Sequence, residues 1–394
     1  MGRKKQRNND KLKVEDPCPC GSGNNYKHCC EDKAPPINAT QLKVVPLSEI
    51  PPELLKLLQE KKVIEEQRIA QQGYGKPIIS AEFKGRRLVA IGSEIFDSGN
   101  CKTFHEVLPA YLRVLLGEEW IKKELEKELA ARHPILQWHN AMIAYQRKNL
   151  QGPSKTQTVS TLGAVSALLG LSYNLYLIAH NSELQEKLIK RLKDLNQFLG
   201  AHYETQVAAF CIQAGFEITL EDEDDPSSTH CEFTATNIKS GRKFSVEAKA
   251  RTHGKKSGAI SSQLYSALKK SAEYERIIFI NINSPEKTTN REPTKWINEA
   301  IASIRGAETR LKIKGTDAPP AYVLLTNQQN AYNLNDIGFD IGAVAESFKI
   351  PDFRVDYPFT SLREVIDSRD RHKEVSGIFE AIKSHHKIPS TFDV

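Results

Sequence analysis

Two groups of residues in this sequence could do chemistry. The first is a pair of carboxylates with a lysine: Glu232, and then Glu247 and Lys249 two positions apart in the triplet Glu247-Ala248-Lys249. On an extended strand Ser245, Glu247, Lys249 and Arg251 face one side while Val246, Ala248 and Ala250 face the other. On the segment before it, Glu232 shares a face with Thr234 and Thr236, opposite Phe233 and Ala235. If the two segments pair as a hairpin through Lys239-Ser240-Gly241, then Glu232, Glu247 and Lys249 share one edge. Two carboxylates and a backbone carbonyl could hold Mg²⁺ or Mn²⁺ by oxygen. The lysine would orient or deprotonate an attacking water, and the metal would stabilise charge on phosphate oxygens. The same residues also fit a solvated strand face with an ordinary Glu–Lys pair, worth little. That alternative leaves the facing of Glu232 unexplained.

The second group is a cysteine cluster. Of seven cysteines, four fall at Cys18, Cys20, Cys29 and Cys30, a C-x-C and a C-C separated by eight residues. Thiolates this close repel unless a cation compensates, and tetrahedral Zn²⁺ is the usual one. Gly21 and Gly23 supply the turn that joins the halves, and Tyr26 can cover the metal. His28 is an alternative fourth ligand if one cysteine points away. With four ligands in place no position is left for water, so the zinc would be structural. Cys101, Cys211 and Cys231 are scattered singly, which suits a reduced interior and not a disulfide framework. The N-terminus has charges but no apolar run behind them, so no secretory signal is expected.

The elements that must position these groups follow from the hydrophobic pattern. Residues 1–13 read as a basic, disordered arm, 14–33 as the cysteine module, and Ala34-Pro35-Pro36 as a link. The stretch 45–199 reads as mostly helical. A helix runs from Pro51-Pro52 towards Gln71, strand–turn–strand covers 80–93 around Lys84-Gly85, and helices span Thr103–Ala131, Ile135–Arg147 and Leu184–Leu199. No charge falls between Lys155 and Glu183. That run is long enough to span a bilayer, but its serines, Asn174 and two tyrosines favour a buried helix. From Ala201 the order becomes α-β-β-β-α-β: a helix ending at Gly215, strands at Phe216–Leu220, Cys231–Thr236 and Phe244–Ala250, a helix at Ser261–Tyr274, and a buried strand at Arg276–Asn283. Residues 200–330 are expected to form one unit, and 331–394 an extension closed by a helix around Glu374–Ser384. The fold class is thus mixed α+β or α/β: a zinc knuckle, a helical middle and an αβββαβ core.

The string from Cys18 to Cys30, CPCGSGxxYKxCC, resembles the SEC-C zinc motif, known from the C-terminus of the bacterial protein-export motor ATPase and as an appendage of many bacterial proteins. The resemblance covers the knuckle alone. It implies a structural zinc clip that docks on proteins such as an export chaperone or on the ribosome. In the motor the fourth ligand is often His, and here that position is Cys30. No Gly-x-x-x-x-Gly-Lys-Ser/Thr loop occurs, so ATPase chemistry of that class is unsupported.

Residues 201–283 resemble the PD-(D/E)xK nuclease superfamily in element order and motif, giving a restriction-endonuclease-like core. The resemblance implies Glu232 and Glu247 as Mg²⁺ or Mn²⁺ ligands and Lys249 as the residue that activates water. It also implies Glu204 on the preceding helix and Gln263 on the following one as further catalytic residues. The chain departs from the pattern at Cys231-Glu232, where the motif has Pro-Asp. The activity implied is phosphodiester hydrolysis, of DNA before RNA, with a restriction or defence role by analogy of fold. The alternative is a non-catalytic zinc-binding protein that docks to a ribosome or chaperone and carries an inactive nuclease fold.

Charge bears on the choice of partner. Lys and Arg number 55 against 49 Asp and Glu, a net +6, and six basic residues against Asp10 alone fall within 1–13. Nearly all the excess therefore sits in the arm, which excludes a globally basic nucleic-acid coat. Arg251, Lys255 and Lys256 beside Gly254 suit a flexible loop against a phosphate backbone, and fit a surface loop almost as well. The acidic run Glu221–Asp225 reads as a solvated loop before a metal site. No histidine lies near a Gly-x-Ser-x-Gly elbow or in a His-x-x-x-His zinc pattern. A bacterial, cytoplasmic protein without a membrane span is expected, with nucleic acid as partner and a homodimer compatible with the chain.

Overall fold

The computed structural model describes residues 43–44, 46–60, 63, 78–149, 160–220, 230–251, 259–283, 295–328, 330–337 and 342–392. The expected arm, the cysteine knuckle, the link, the acidic run Glu221–Asp225, Lys255 and Lys256 lie outside them.

The chain first builds a small sheet. β1 (Lys43–Val44), β2 (Ile79–Phe83), β3 (Arg86–Ile91) and β4 (Glu94–Asp97) lie in the order β1-β4-β3-β2. A helical segment over 52–60, α1, buries Leu54 and Leu58 against Ala81, Leu88 and Ile95 of this sheet. The β2–β3 turn is the expected Lys84-Gly85, and both residues have positive φ, the conformation that a two-residue hairpin turn requires. The middle of the chain is therefore not helical throughout.

Helices follow: α2 (Phe104–Leu116), α3 (Glu118–Leu125), α4 (Pro134–Asn149), α5 (Gly163–Ile178), α6 (Ser182–Leu192) and α7 (Phe198–Gln213). The expected Thr103–Ala131 helix is broken at Gly117, whose φ of 79° lies in the left-handed region. The expected Leu184–Leu199 helix is broken too. After α6 the Asp194 carboxylate accepts the Asn196 N–H and the Gln197 side-chain amide, bonds that compete with helix continuation. α5 is the uncharged run, and it is buried on most sides. Its Ser172 hydroxyl donates to the Leu168 carbonyl one turn back. Among the described residues no helix is long and apolar enough to cross a membrane.

The expected order α-β-β-β-α-β is the one observed. After α7 come β5 (Phe216–Leu220), β6 (Phe233–Asn237), β7 (Lys243–Ala250), α8 (Ala259–Leu268) and β8 (Glu275–Asn281). Gly215 ends α7 with φ of 85°, as a C-terminal glycine should. The chain continues through α9 (Lys295–Ala307), β9 (Lys312–Ile313), β10 (Thr316–Asp317), β11 (Ala321–Asn327), β12 (Gly342–Phe348) and α10 (Leu362–Ser384). The large sheet has the order β12-β11-β8-β7-β6-β5 and so runs on past residue 330 into the expected extension. β5, β6 and β7 form an antiparallel meander, β7, β8 and β11 are parallel, and β12 closes antiparallel.

Helices cover both faces of this mixed sheet. Phe244, Val246, Ala248, Ile277, Phe279 and Leu324 pack against α7 and α10. The alternate residues Ile278, Ile280, Val323 and Leu325 pack against α8 and α9. β7 is thus a central strand buried on both faces. Burial of its apolar side chains, worth about 1.5–3 kcal/mol each, is what allows a charged residue among them to be held in place.

Candidate active site

Glu247 belongs to the β7 face that looks toward α8, and it is 1% exposed. A carboxylate so placed needs partners. Lys249, next on the same face, puts its Nζ 2.5 Å from Glu247 Oε1. The hairpin expected from the sequence is present: Phe233 is opposite Val246 and Thr234 is opposite Ser245. Glu232 directly precedes that register, and its N–H donates to the Val246 carbonyl at 3.0 Å. The two carboxylates are therefore brought side by side at the carboxyl end of β7.

Two cations missing from the sequence reading complete the cluster. Lys270 Nζ lies 3.0 Å from Glu232 Oε1 and 3.0 Å from Glu247 Oε1, bridging the pair. Lys270 follows α8, where the N–H groups of Lys269 and Lys270 still bond back to the Tyr265 and Ala267 carbonyls. On α6, Arg191 forms a two-point ion pair with Glu204 of α7, one arm of which spans 2.7 Å. Arg191, Glu204 and Glu232 line one cleft with Lys187. Gln263 is half-buried on α8 and makes no hydrogen bond to the cluster among the described residues. Lys270, seven residues further on, is the side chain from that region that reaches the carboxylates. The spacing of about two helical turns was the available signal, but a lysine pair after a helix carries no mark of function.

Electrostatics follow from the crowding. Burial pushes the Glu247 carboxyl up to about 7, and the neighbouring Glu232 charge adds to the rise against the pull of Lys249 and Lys270. Burial and Glu232 likewise raise Glu204 despite Arg191. Burial lowers the Lys270 ammonium, but Glu247 and Glu232 outweigh it and hold its pKa above the usual lysine value. Lys249 and Lys270 thus offset Glu232 and Glu247, and the Arg191–Glu204 pair stands beside them.

The donor set fits a small hard cation. Both Glu247 oxygens are buried without an aligned hydrogen bond, although two ammonium groups stand near, and Glu232 offers a second carboxylate. Among the described residues no three His, Cys, Asp or Glu side chains converge as a ready-made metal cage. Mg²⁺ does not require one, since it keeps waters and takes phosphate oxygens beside one or two carboxylates.

Arg251 does not stand where a phosphate contact was expected. It is 2% exposed, its N–H donates to the Asn281 carbonyl, and its own carbonyl accepts from Asn283 Nδ2 at 2.5 Å. Burial of its guanidinium in the sheet end removes it from any surface among the described residues. Cys101, Cys211 and Cys231 are buried thiols outside any disulfide, in keeping with their scattered spacing.

Comparison with known proteins adds one feature. Residues 16–32 match the SEC-C motif, a class of motif generally associated with zinc, and the match holds all four clustered cysteines. No curated protein and no solved structure matches the chain.

Proposed function

We propose that the chain is a metal-dependent nuclease of the PD-(D/E)xK type acting on DNA, with the SEC-C motif as a zinc clip for docking. The observation that carries this reading is the meeting of Glu232, Glu247 and Lys249 at the carboxyl end of β7, within the element order α-β-β-β-α-β. An antiparallel meander followed by a helix and a parallel strand supports a restriction-endonuclease-like core.

In this reading Glu232 and Glu247 hold Mg²⁺ or Mn²⁺. The bound ion supplies charge stabilisation to the phosphate oxygens in the transition state. Lys249 would orient the attacking water, whose oxygen forms the new P–O bond as the bond to the leaving oxygen breaks, while its proton passes to solvent and the leaving oxygen takes one up from solvent. Glu204, paired with Arg191, ties α7 to α6 and shapes the cleft beside Glu232. The basic arm, which carries most of the excess charge, and the knuckle behind it deliver the substrate or the partner.

The test is cleavage of DNA and RNA by the purified full-length chain with Mg²⁺ or Mn²⁺, beside Glu247→Ala and Lys249→Ala. Metal-dependent cleavage lost in both variants is expected. Cleavage that survives both substitutions sinks the assignment. One observation favours a second reading, a non-catalytic interaction protein: the carboxylates are already neutralised by Lys270. Absence of cleavage on every substrate, with zinc retained, would favour that reading.

A further inference from the structure

Lys270 touches both carboxylates of the pair, and the geometry says more than that it balances charge. Its Nζ is 3.0 Å from an oxygen of Glu232 and 3.0 Å from an oxygen of Glu247, the same Oε1 that Lys249 approaches. Mg²⁺ would need carboxylate oxygens at about 2.0–2.1 Å. An ammonium hydrogen-bonded to the Glu232 oxygen and ion-paired with the Glu247 oxygen stands where a divalent ion bridging those two oxygens would sit. The stem of Lys270 is long and flexible, and its side chain is 23% exposed, so the head has a way out. The two other cations differ. Lys249 pairs with Glu247, next to it on the same strand face, and Arg191 holds Glu204 in a two-point geometry.

We infer that Lys270 is the resident counter-cation of the Glu232–Glu247 pair and is displaced by the divalent ion. Lys270 thereby sets the metal affinity of the site. It keeps two facing carboxylates from repelling while no metal is bound, and it makes the site selective for ions that gain more from those oxygens than an ammonium does. This rests on the metal-site reading of the pair proposed above.

The probe is Mn²⁺ alone, titrated into the full-length protein and followed by electron paramagnetic resonance of the free ion. Lys270→Met removes the competitor and is expected to bind Mn²⁺ at least tenfold more tightly than the wild type. Lys270→Arg keeps the charge and is expected to stay within about threefold of the wild type. A wild-type measurement stands beside the variants in case they fold poorly. Amine-specific acetylation, read at Lys270 by mass spectrometry, is expected to speed up several-fold when Mn²⁺ saturates the site. Equal or weaker Mn²⁺ binding by folded Lys270→Met overturns the inference, as does acetylation that is unchanged or slowed by Mn²⁺. Either result leaves the proposed function standing if the wild type binds Mn²⁺. Absence of Mn²⁺ binding in both wild type and Lys270→Met overturns both.

Discussion

Lys249 Nζ and Glu247 Oε1 are 2.5 Å apart on one face of β7, and the carboxylate is almost wholly buried while the lysine is not. An i, i+2 pair on a solvated strand contributes little to stability. This one sits in the middle strands of a sheet covered on both faces, where a charge is costly to keep. Replacing Glu247 by an apolar residue of similar volume would relieve that cost, as for other buried ionic groups. The arrangement therefore makes better sense as a site than as a stabilising contact.

Lys249→Met separates the two. The aliphatic stem is retained, and the variant is expected to unfold within a few degrees of the wild type. Cleavage is expected to fall by about 100-fold or more, the usual scale for losing the positioning of a reacting group. Single-turnover cleavage read beside DNA binding checks this. An unchanged rate would show that the lysine is only a counter-charge for Glu247.

The Arg191–Glu204 pair makes the opposite prediction. Glu204 lies on the buried side of α7, and removal of Arg191 leaves its charge uncompensated. Arg191→Met is expected to cost about 3 kcal/mol in urea unfolding, the scale for breaking a buried pair at one end. The double variant Arg191→Met with Glu204→Gln is expected to regain most of it. A double variant as unstable as the single one would mean that packing of the Arg191 stem, and not charge, was lost.

Much of this was legible before the structure. The alternation in Phe244–Ala250 placed Glu247 and Lys249 on one face, and Gly215 and Lys239-Ser240-Gly241 marked the turns that bring Glu232 beside them. These are local signals with periods of two or with fixed turn chemistry. Lys270 and Arg191 were not legible, because they reach the carboxylates through tertiary packing of α8 and α6. The breaks at Gly117 and Asp194 were overrun for a related reason. Apolar spacing continues across both, while one left-handed glycine and one side-chain cap stop the helix. Arg251 follows the alternation of β7 yet ends up buried, since strand periodicity gives a face and not a depth.

The cysteine knuckle can be tested apart from the sheet. Residues 16–32 match the SEC-C motif, and four thiolates in that spacing call for a cation. The purified chain is expected to carry about one zinc per molecule, and Cys18→Ser to lose it. Tryptophan emission reports on Trp120 of α3, Trp138 of α4 and Trp296 of α9, all apart from the knuckle in sequence. Its unfolding transition is expected to stay unchanged in Cys18→Ser. Zinc retained in Cys18→Ser would point to His28 or another ligand in its place.

His385 makes the stability of the large unit depend on pH. It caps α10 and is 4% exposed. Its Nδ1 meets Gln213 Oε1 at 2.6 Å, and its ring stands edge-on to Phe210 at 4.7 Å. Burial pushes its pKa down to about 3, and the neighbouring His386 adds to the fall. In the unfolded chain a histidine titrates near 6.5. Between those two values the unfolded state takes up a proton that the folded state refuses, so stability drops as the pH falls from about 6.5 towards 3. Above that window the group contributes no pH dependence. At pH 5 the loss from this residue is about 2 kcal/mol, from 1.36 kcal/mol for each pH step below 6.5. His385→Gln cannot be protonated but can still donate to Gln213. Urea unfolding at pH 7 and pH 5 is expected to show a loss on acidification smaller by about that amount in the variant than in the wild type. Equal losses would mean that His385 takes up its proton within the folded protein, and that α10 is seated on α7 less tightly than its buried ring requires.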